Sequence, residues 1–248
     1  MKSSARSHAI TIGAGSPTTA PNSHSELQIN PAIGIDASWL AGRGLSQVIK
    51  RVMDVAGSLT ALIMVAPVMF VIAYLIRLTS PGPVFFRQAR LGKDGRVFSV
   101  LKFRTMVKDA EQKLGAVEKL NQHADGFLFK AKDDPRVTPL GRFLRKTSLD
   151  ELPQFINVLQ GDMSLVGPRP LQLRDTEKLL EIDPKGYAAR LKVMPGITGP
   201  WQVSGRSDTT SAQMVELDKE YAENWSIGRD ILILLKTVVV VLKGRGAY

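Results

Sequence analysis

The chain has 248 residues, 44% of them hydrophobic, and no cysteine. That allows one substantial packed domain with tails and excludes a disulfide framework or a thiolate metal site. A formal charge of +10 calls for an anionic partner: nucleic acid, an acidic membrane surface or a phosphorylated substrate.

Residues 1–45 are rich in Ser, Thr, Gly, Ala and Pro, without period, and predict a disordered tail. They are not a signal peptide, because the apolar run starts only past position 50. Val55–Ile76 then gives 22 residues without a charge, enough to cross a bilayer of about 30 Å. Two features favour a bent, re-entrant membrane helix over about 52–78 rather than a single-pass anchor. Pro67 lies inside the run and breaks or kinks a helix by removing an amide donor. Basic residues flank both ends: Arg43, Lys50 and Arg51 before, and Arg77, Arg87, Arg90, Lys93 and Arg96 after. Such flanks prefer the cytoplasmic side, and only a segment that leaves by the face it entered keeps both there.

Residues 84–103 predict a β-hairpin turning at Gly92-Lys93-Asp94-Gly95. Helical pattern follows over about 107–122, 136–146, 154–160, 172–182 and 211–224, with Asp133-Asp134-Pro135 as a loop. Residues 184–210 hold Pro195, Gly196, Gly199, Pro200 and Gly205 and predict an ordered loop region. Ile231–Leu242 is too short to span, and is either a buried helix or one lying in the membrane interface. The whole reads as mainly α with a small β-hairpin, residues 46–248 forming the membrane helix and one globular domain.

Chemistry concentrates at T-S-L-D-E-L-P-Q, residues 147–154. Ser148 and Glu151 have the spacing of a capping box, and Pro153 suits a helix start. In a basic setting beside a membrane, however, Asp150 and Glu151 also suit phosphoryl transfer. A carboxylate can attack phosphorus or hold Mg²⁺, with cations offsetting the phosphate charge. Candidate phosphate ligands are Lys102 and Arg104, which share a face if both lie on a strand. Arg145 lies five residues before Asp150, and Arg169 is presented between two prolines. A nucleic-acid binder would interleave base-stacking aromatics with its basic residues, and aromatics are only 6%. A non-catalytic membrane adaptor leaves Asp150, Glu151 and Arg169 without a purpose.

These stretches, with S-P-G-P-V-F-F-R-Q-A-R-L-G (80–92), P-G-I-T-G-P-W-Q-V-S-G-R (195–206) and N-W-S-I-G-R-D-I-L-I-L-L-K-T (224–237), resemble the bacterial sugar transferases, the polyprenyl-phosphate hexose-1-phosphate transferases, in their short form. The similarity runs from about Lys50 to Tyr248. It implies a monotopic membrane protein whose helix breaks near Pro67. It also implies transfer of a sugar-1-phosphate from a UDP-sugar to polyprenyl (undecaprenyl) phosphate, releasing UMP. Asp150 would be the nucleophile, Glu151 its partner in the dyad, and Mg²⁺ the cofactor, with Asp150 as metal ligand. Lys102, Arg104, Arg145 and Arg169 match basic motif positions, and Gln202 and Arg206 fall in a loop associated with the nucleotide. The W-Q-V-S-G-R form leans to glucose or galactose. The resemblance further implies the inner membrane with the catalytic part facing the cytoplasm, lipid as a neighbour, no nucleic acid, and the first membrane step of exopolysaccharide, capsule or O-antigen synthesis; a homo-oligomer is compatible with it. Pro200, where a larger apolar residue is expected, is a departure from the pattern, and 109–132 is longer than in the smallest members.

Overall fold

The computed structural model describes residues 44–110, 112, 134–205 and 210–242. The expected tail at 1–45 lies almost wholly outside them, as do most of the helix expected over 107–122 and the rest of the long segment to 132.

Helix α1, Gly44–Thr79, is 36 residues long, about 54 Å at 1.5 Å per residue. It is inverted relative to a helix of a water-soluble core. Its buried residues are Asp54, Ser58, Ile72 and Ile76, while Ile63, Met64, Phe70 and Tyr74 are exposed. It is long and apolar enough to cross a membrane. The helix continues through Pro67, where the sequence had pointed to a break. Proline removes one amide donor, and a helix can carry on with that single bond missing.

Both ends of α1 pack on the rest of the chain. Near the start, Arg51 donates to the carbonyls of Val158 (2.6 Å) and Leu159 (2.8 Å), in the last turn of a helix, where cationic side chains commonly meet the carbonyls. Asp54 accepts from Ser164 Oγ and the Leu165 amide, both at 2.9 Å. Near the end, Ile72 and Ile76 share a core with Phe103 and Leu144.

Strands β1 (Phe85–Leu91) and β2 (Val97–Phe103) form the expected antiparallel hairpin, in register from Phe85 opposite Phe103 to Leu91 opposite Val97. Its turn needs positive φ at Asp94 and Gly95, which Asp and Gly tolerate. Helix α2 is Pro139–Lys146, capped by Thr138, which accepts from the Gly141 amide, and opened by Pro139. It begins later than 136 because residues 134–138 are spent on a turn and a bridge from Val137 to Met106. Helix α3 (Gln154–Gln160) ends at Gly161 in the left-handed region, as helix ends commonly do.

The chain then forms β3 (Ser164–Val166), α4 (Leu173–Ile182), α5 (Pro184–Leu191), β4 (Gly196–Thr198), a single turn α6 (Pro200–Val203), α7 (Ser211–Glu223) and α8 (Ile227–Leu242). Three of these elements replace the loop expected over 184–210. Helix α5 was signalled by Asp183, which caps it, followed by Pro184. Strand β4 was not: three residues carry no period, and its bonds go to β3, in parallel, thirty-odd positions back in the chain. Gly167 and Gly196 approach so closely that a Cβ on either would meet the other's backbone. Helix α7 opens with a full capping box from Thr210 and Gln213. Helix α8 buries Asp230 and Ile233 but exposes Ile231, Leu235, Val238 and Val241, so it is partly packed and apolar on its open side.

Candidate active site

Asp150 and Glu151 lie in a short 3-10 turn, Leu149–Glu151, between α2 and α3. The turn is entered through Ser148, a non-glycine residue at φ 57, and Ser148 makes no capping hydrogen bond. The capping box that the spacing allowed is therefore not formed, and the local strain is of a kind that collects at functional sites. Pro153 takes the cap position of α3, which leaves both acids ahead of the helix.

The adjacent carboxylates have opposite environments. Glu151 is fully engaged: Arg169 donates to both of its oxygens, at 3.0 Å to Oε2 and through a second bond to Oε1, and Lys102 Nζ donates to Oε1 at 2.8 Å. A forked guanidinium and an ammonium on one carboxylate make a strong charge-assisted cluster. Burial would raise the Glu151 pKa, but Arg169 and Lys102 outweigh it and hold the group well below the ordinary carboxylate range. Asp150, 8% exposed, accepts no hydrogen bond from a described residue. Burial raises its pKa, and the fields of Lys102, Arg145 and Arg169 only partly offset that while Glu151 adds to it.

Arg145, from α2, is tied through Nε to Thr105 Oγ1 at 2.9 Å and feels the charge of Asp150. Lys102, Asp150, Glu151 and Arg169 are thus brought together, with Arg145 beside them. Arg104 is not among them. Strand β2 ends at Phe103, so the two-residue alternation stops, and Arg104 donates to the Ser80 carbonyl at 2.6 Å and lies over Gly82. Gln202 closes its own turn by donating to the Ile197 carbonyl at 2.7 Å. Arg206 lies outside the described residues.

Two further residues belong to this neighbourhood. Arg90, on β1, and Gln154, at the start of α3, line a recess of about 210 Å³ with Lys102, Arg169, Val100 and Pro170. Arg90 Nε and Gln154 Nε2 are buried and have no partner among the described residues. Burial, helped by the charge of Arg169, lowers the Arg90 pKa to about 10. A larger recess of about 350 Å³, also lined by Arg169, is mainly apolar, whereas the smaller one is lined by Lys102 and Arg169, the two cations that engage Glu151. Gln154 closes the T-S-L-D-E-L-P-Q stretch and Arg90 lies in the 80–92 motif, but the sequence picks out neither as a site residue.

Among the described residues no three acids or histidines gather as a metal cage. Mg²⁺ is often held by one or two carboxylates together with substrate phosphates, and a carboxylate without hydrogen-bond donors, such as Asp150, fits that use. A free carboxylate beside several cations can attack a phosphorus or hold such an ion; a carboxylate saturated by Arg and Lys can orient those cations.

Residues 45–244 match the family described as bacterial sugar transferase. The chain is 42% identical over 209 residues to an undecaprenyl-phosphate galactose phosphotransferase of Salmonella typhimurium, covering 82% of this chain and 42% of that protein. To a UDP-glucose:undecaprenyl-phosphate glucose-1-phosphate transferase of Escherichia coli it is 42% identical over 210 residues, 83% of this chain and 42% of the relative. To the exopolysaccharide production protein ExoY of Rhizobium meliloti it is 39% identical over 211 residues, 84% of this chain and 92% of the relative. The chain spans less than half the length of several relatives that it matches.

Proposed function

The chain belongs to the bacterial sugar transferase family, and from that membership and the split environments of its paired acids we propose that it transfers a sugar-1-phosphate from a UDP-sugar to undecaprenyl phosphate. The observation that carries this reading is the contrast between Glu151, locked by Arg169 and Lys102, and Asp150, which accepts no hydrogen bond from a described residue beside the same cations. An Asp150 oxygen attacks the sugar-bearing phosphorus of the UDP-sugar. The bond from that phosphorus to the bridging oxygen breaks, and UMP leaves with the electron pair. An oxygen of undecaprenyl phosphate then attacks the same phosphorus, and the bond to Asp150 breaks to return the carboxylate. Arg169, Lys102 and Arg145 offset the charge of the phosphates. Mg²⁺, held by Asp150 and the diphosphate, would supply further charge neutralisation. Relatives named for galactose and glucose transfer support a hexose of that type, and the ExoY relative supports a place in exopolysaccharide synthesis.

The reading places the protein in the inner membrane with its catalytic part toward the cytoplasm, where UDP-sugars are made. Support comes from α1, whose start and end are both anchored to the same catalytic unit. A straight crossing of the bilayer would separate those two ends.

The test is isotope exchange of UMP into UDP-galactose or UDP-glucose without any lipid acceptor. The wild-type chain is expected to catalyse it, and Asp150→Asn to reduce it by at least about 10³-fold. Exchange by Asp150→Asn at the wild-type rate removes Asp150 as the nucleophile.

A further inference from the structure

The segment Val166–Pro170, which delivers Arg169 to Glu151, is held by its carbonyls from several sides. Val166 O accepts from Lys50 Nζ (3.0 Å) and Tyr221 OH (3.1 Å). Pro168 O accepts from the Gly196 amide at 2.9 Å. Pro170 O accepts from Arg90 at 3.0 Å. The Arg169 carbonyl itself accepts from Arg190 Nη2, while Arg190 Nη1 pairs with Asp218.

Arg190, on α5, and Asp218, on α7, form a buried pair, their side chains 8% and 0% exposed. Burial lowers the Arg190 pKa to about 10. Burying two charges is expensive, and such a pair adds to stability only when its remaining polar atoms are also satisfied. Asp218 Oδ1 has no partner among the described residues, so the pair is poorly built as a source of stability. Its geometry suits another task. The flanking prolines restrict the backbone around Arg169, and the orientation of the 169 peptide group is the main freedom left. Arg190 fixes that orientation, and Asp218 fixes Arg190.

We propose that the Arg190–Asp218 pair is a positioning device for Arg169, setting the fork that engages Glu151 and the substrate phosphates. The inference rests on the reading of Arg169 given above. Arg190 and Asp218 touch no reacting atom and act through Arg169.

The test is a double-mutant cycle. Arg190→Met with Asp218→Leu removes both charges while keeping apolar volume, a replacement that buried pairs often tolerate. In UMP exchange this variant is expected to lose about 10–100-fold in kcat, with KM for the UDP-sugar changed less than about threefold. Added to Arg169→Lys, it should cause no further loss, because the effect runs through Arg169. Losses that simply add, or wild-type kinetics, overturn the proposal. If the double variant does not fold, Arg190→Lys replaces it in the cycle: it keeps a charge opposite Asp218 but loses the two-armed fork, and it is judged by the same two outcomes. Hydrogen exchange gives a readout that does not depend on activity. Amides at Gly167, Arg169 and Leu171 should exchange faster in the variant while those of α5 and α7 stay protected; unchanged exchange at 167–171 overturns the inference. A wild-type chain without UMP exchange sinks the transfer reaction instead, and hydrogen exchange then decides the positioning role alone.

Discussion

Neighbouring residues of like charge behave oppositely here because their surroundings differ. Asp150 is buried and takes no hydrogen bond from a described residue, and burial, with Glu151 beside it, holds its folded pKa above the ordinary 3.8. The sign follows: below 3.8 the group is protonated in both folded and unfolded chains, and as pH rises through the raised folded value, stability is lost. Asp150→Asn is therefore expected to raise the melting temperature by a few degrees near pH 7, with the gain vanishing at acid pH. Glu151 is held well below the ordinary 4.5, so it stabilises the fold above that value, and the contribution is lost as pH falls through its depressed pKa. Glu151→Gln leaves Arg169 and Lys102 without their counter-charge and should destabilise the fold by roughly 3 kcal/mol at neutral pH. Thermal melts of both variants across pH check the pair, and a lower melting temperature for Asp150→Asn at pH 7 would contradict the account. The four residues that converge, Lys102, Asp150, Glu151 and Arg169, were legible in the sequence through their charges and motifs. Arg104 was legible as a residue but not in its position, since one of its arms donates to the Ser80 carbonyl, and Gln202 likewise donates to the Ile197 carbonyl.

At the scale of elements, α1 carries the largest apolar surface that a membrane would cover. Its middle exposes Leu59, Ile63, Met64, Val68 and Phe70, while Arg51 and Asp54 at one end and Ile72 and Ile76 at the other are fixed to the rest of the chain. The chain has no cysteine, so single cysteines can report on topology. Cysteines replacing Ser46 and Ser80 are both expected to resist a membrane-impermeant thiol reagent in intact cells; labelling of the one at position 46 alone would show a helix that spans. The hairpin and α3, α4 and α7 were close to legible from periodicity and caps. The parallel pair β3 and β4 was hidden, because its partners are distant in sequence and each is three residues long.

Over the whole molecule, charge and apolar surface answer to different neighbours. The +10 charge favours anionic lipid and phosphates, but salt screens surface attraction within about 10 Å. The apolar surface of α1 and the open side of α8 are not screened. Concentrated salt or alkaline carbonate should thus leave the protein in the membrane fraction and detergent should release it; release by salt alone would mean that charge, not α1, holds it there. Composition, the 22-residue uncharged run and the ordered motifs were enough to determine a mainly helical, membrane-associated member of this family, because local pattern encodes burial and membrane affinity directly. Only the tertiary structure decided which cations serve which carboxylate, that both ends of α1 meet one unit, and that Arg190 reaches the carbonyl of Arg169. Those facts depend on contacts between residues far apart in the chain, and a linear sequence records the donors and acceptors without recording which of them meet.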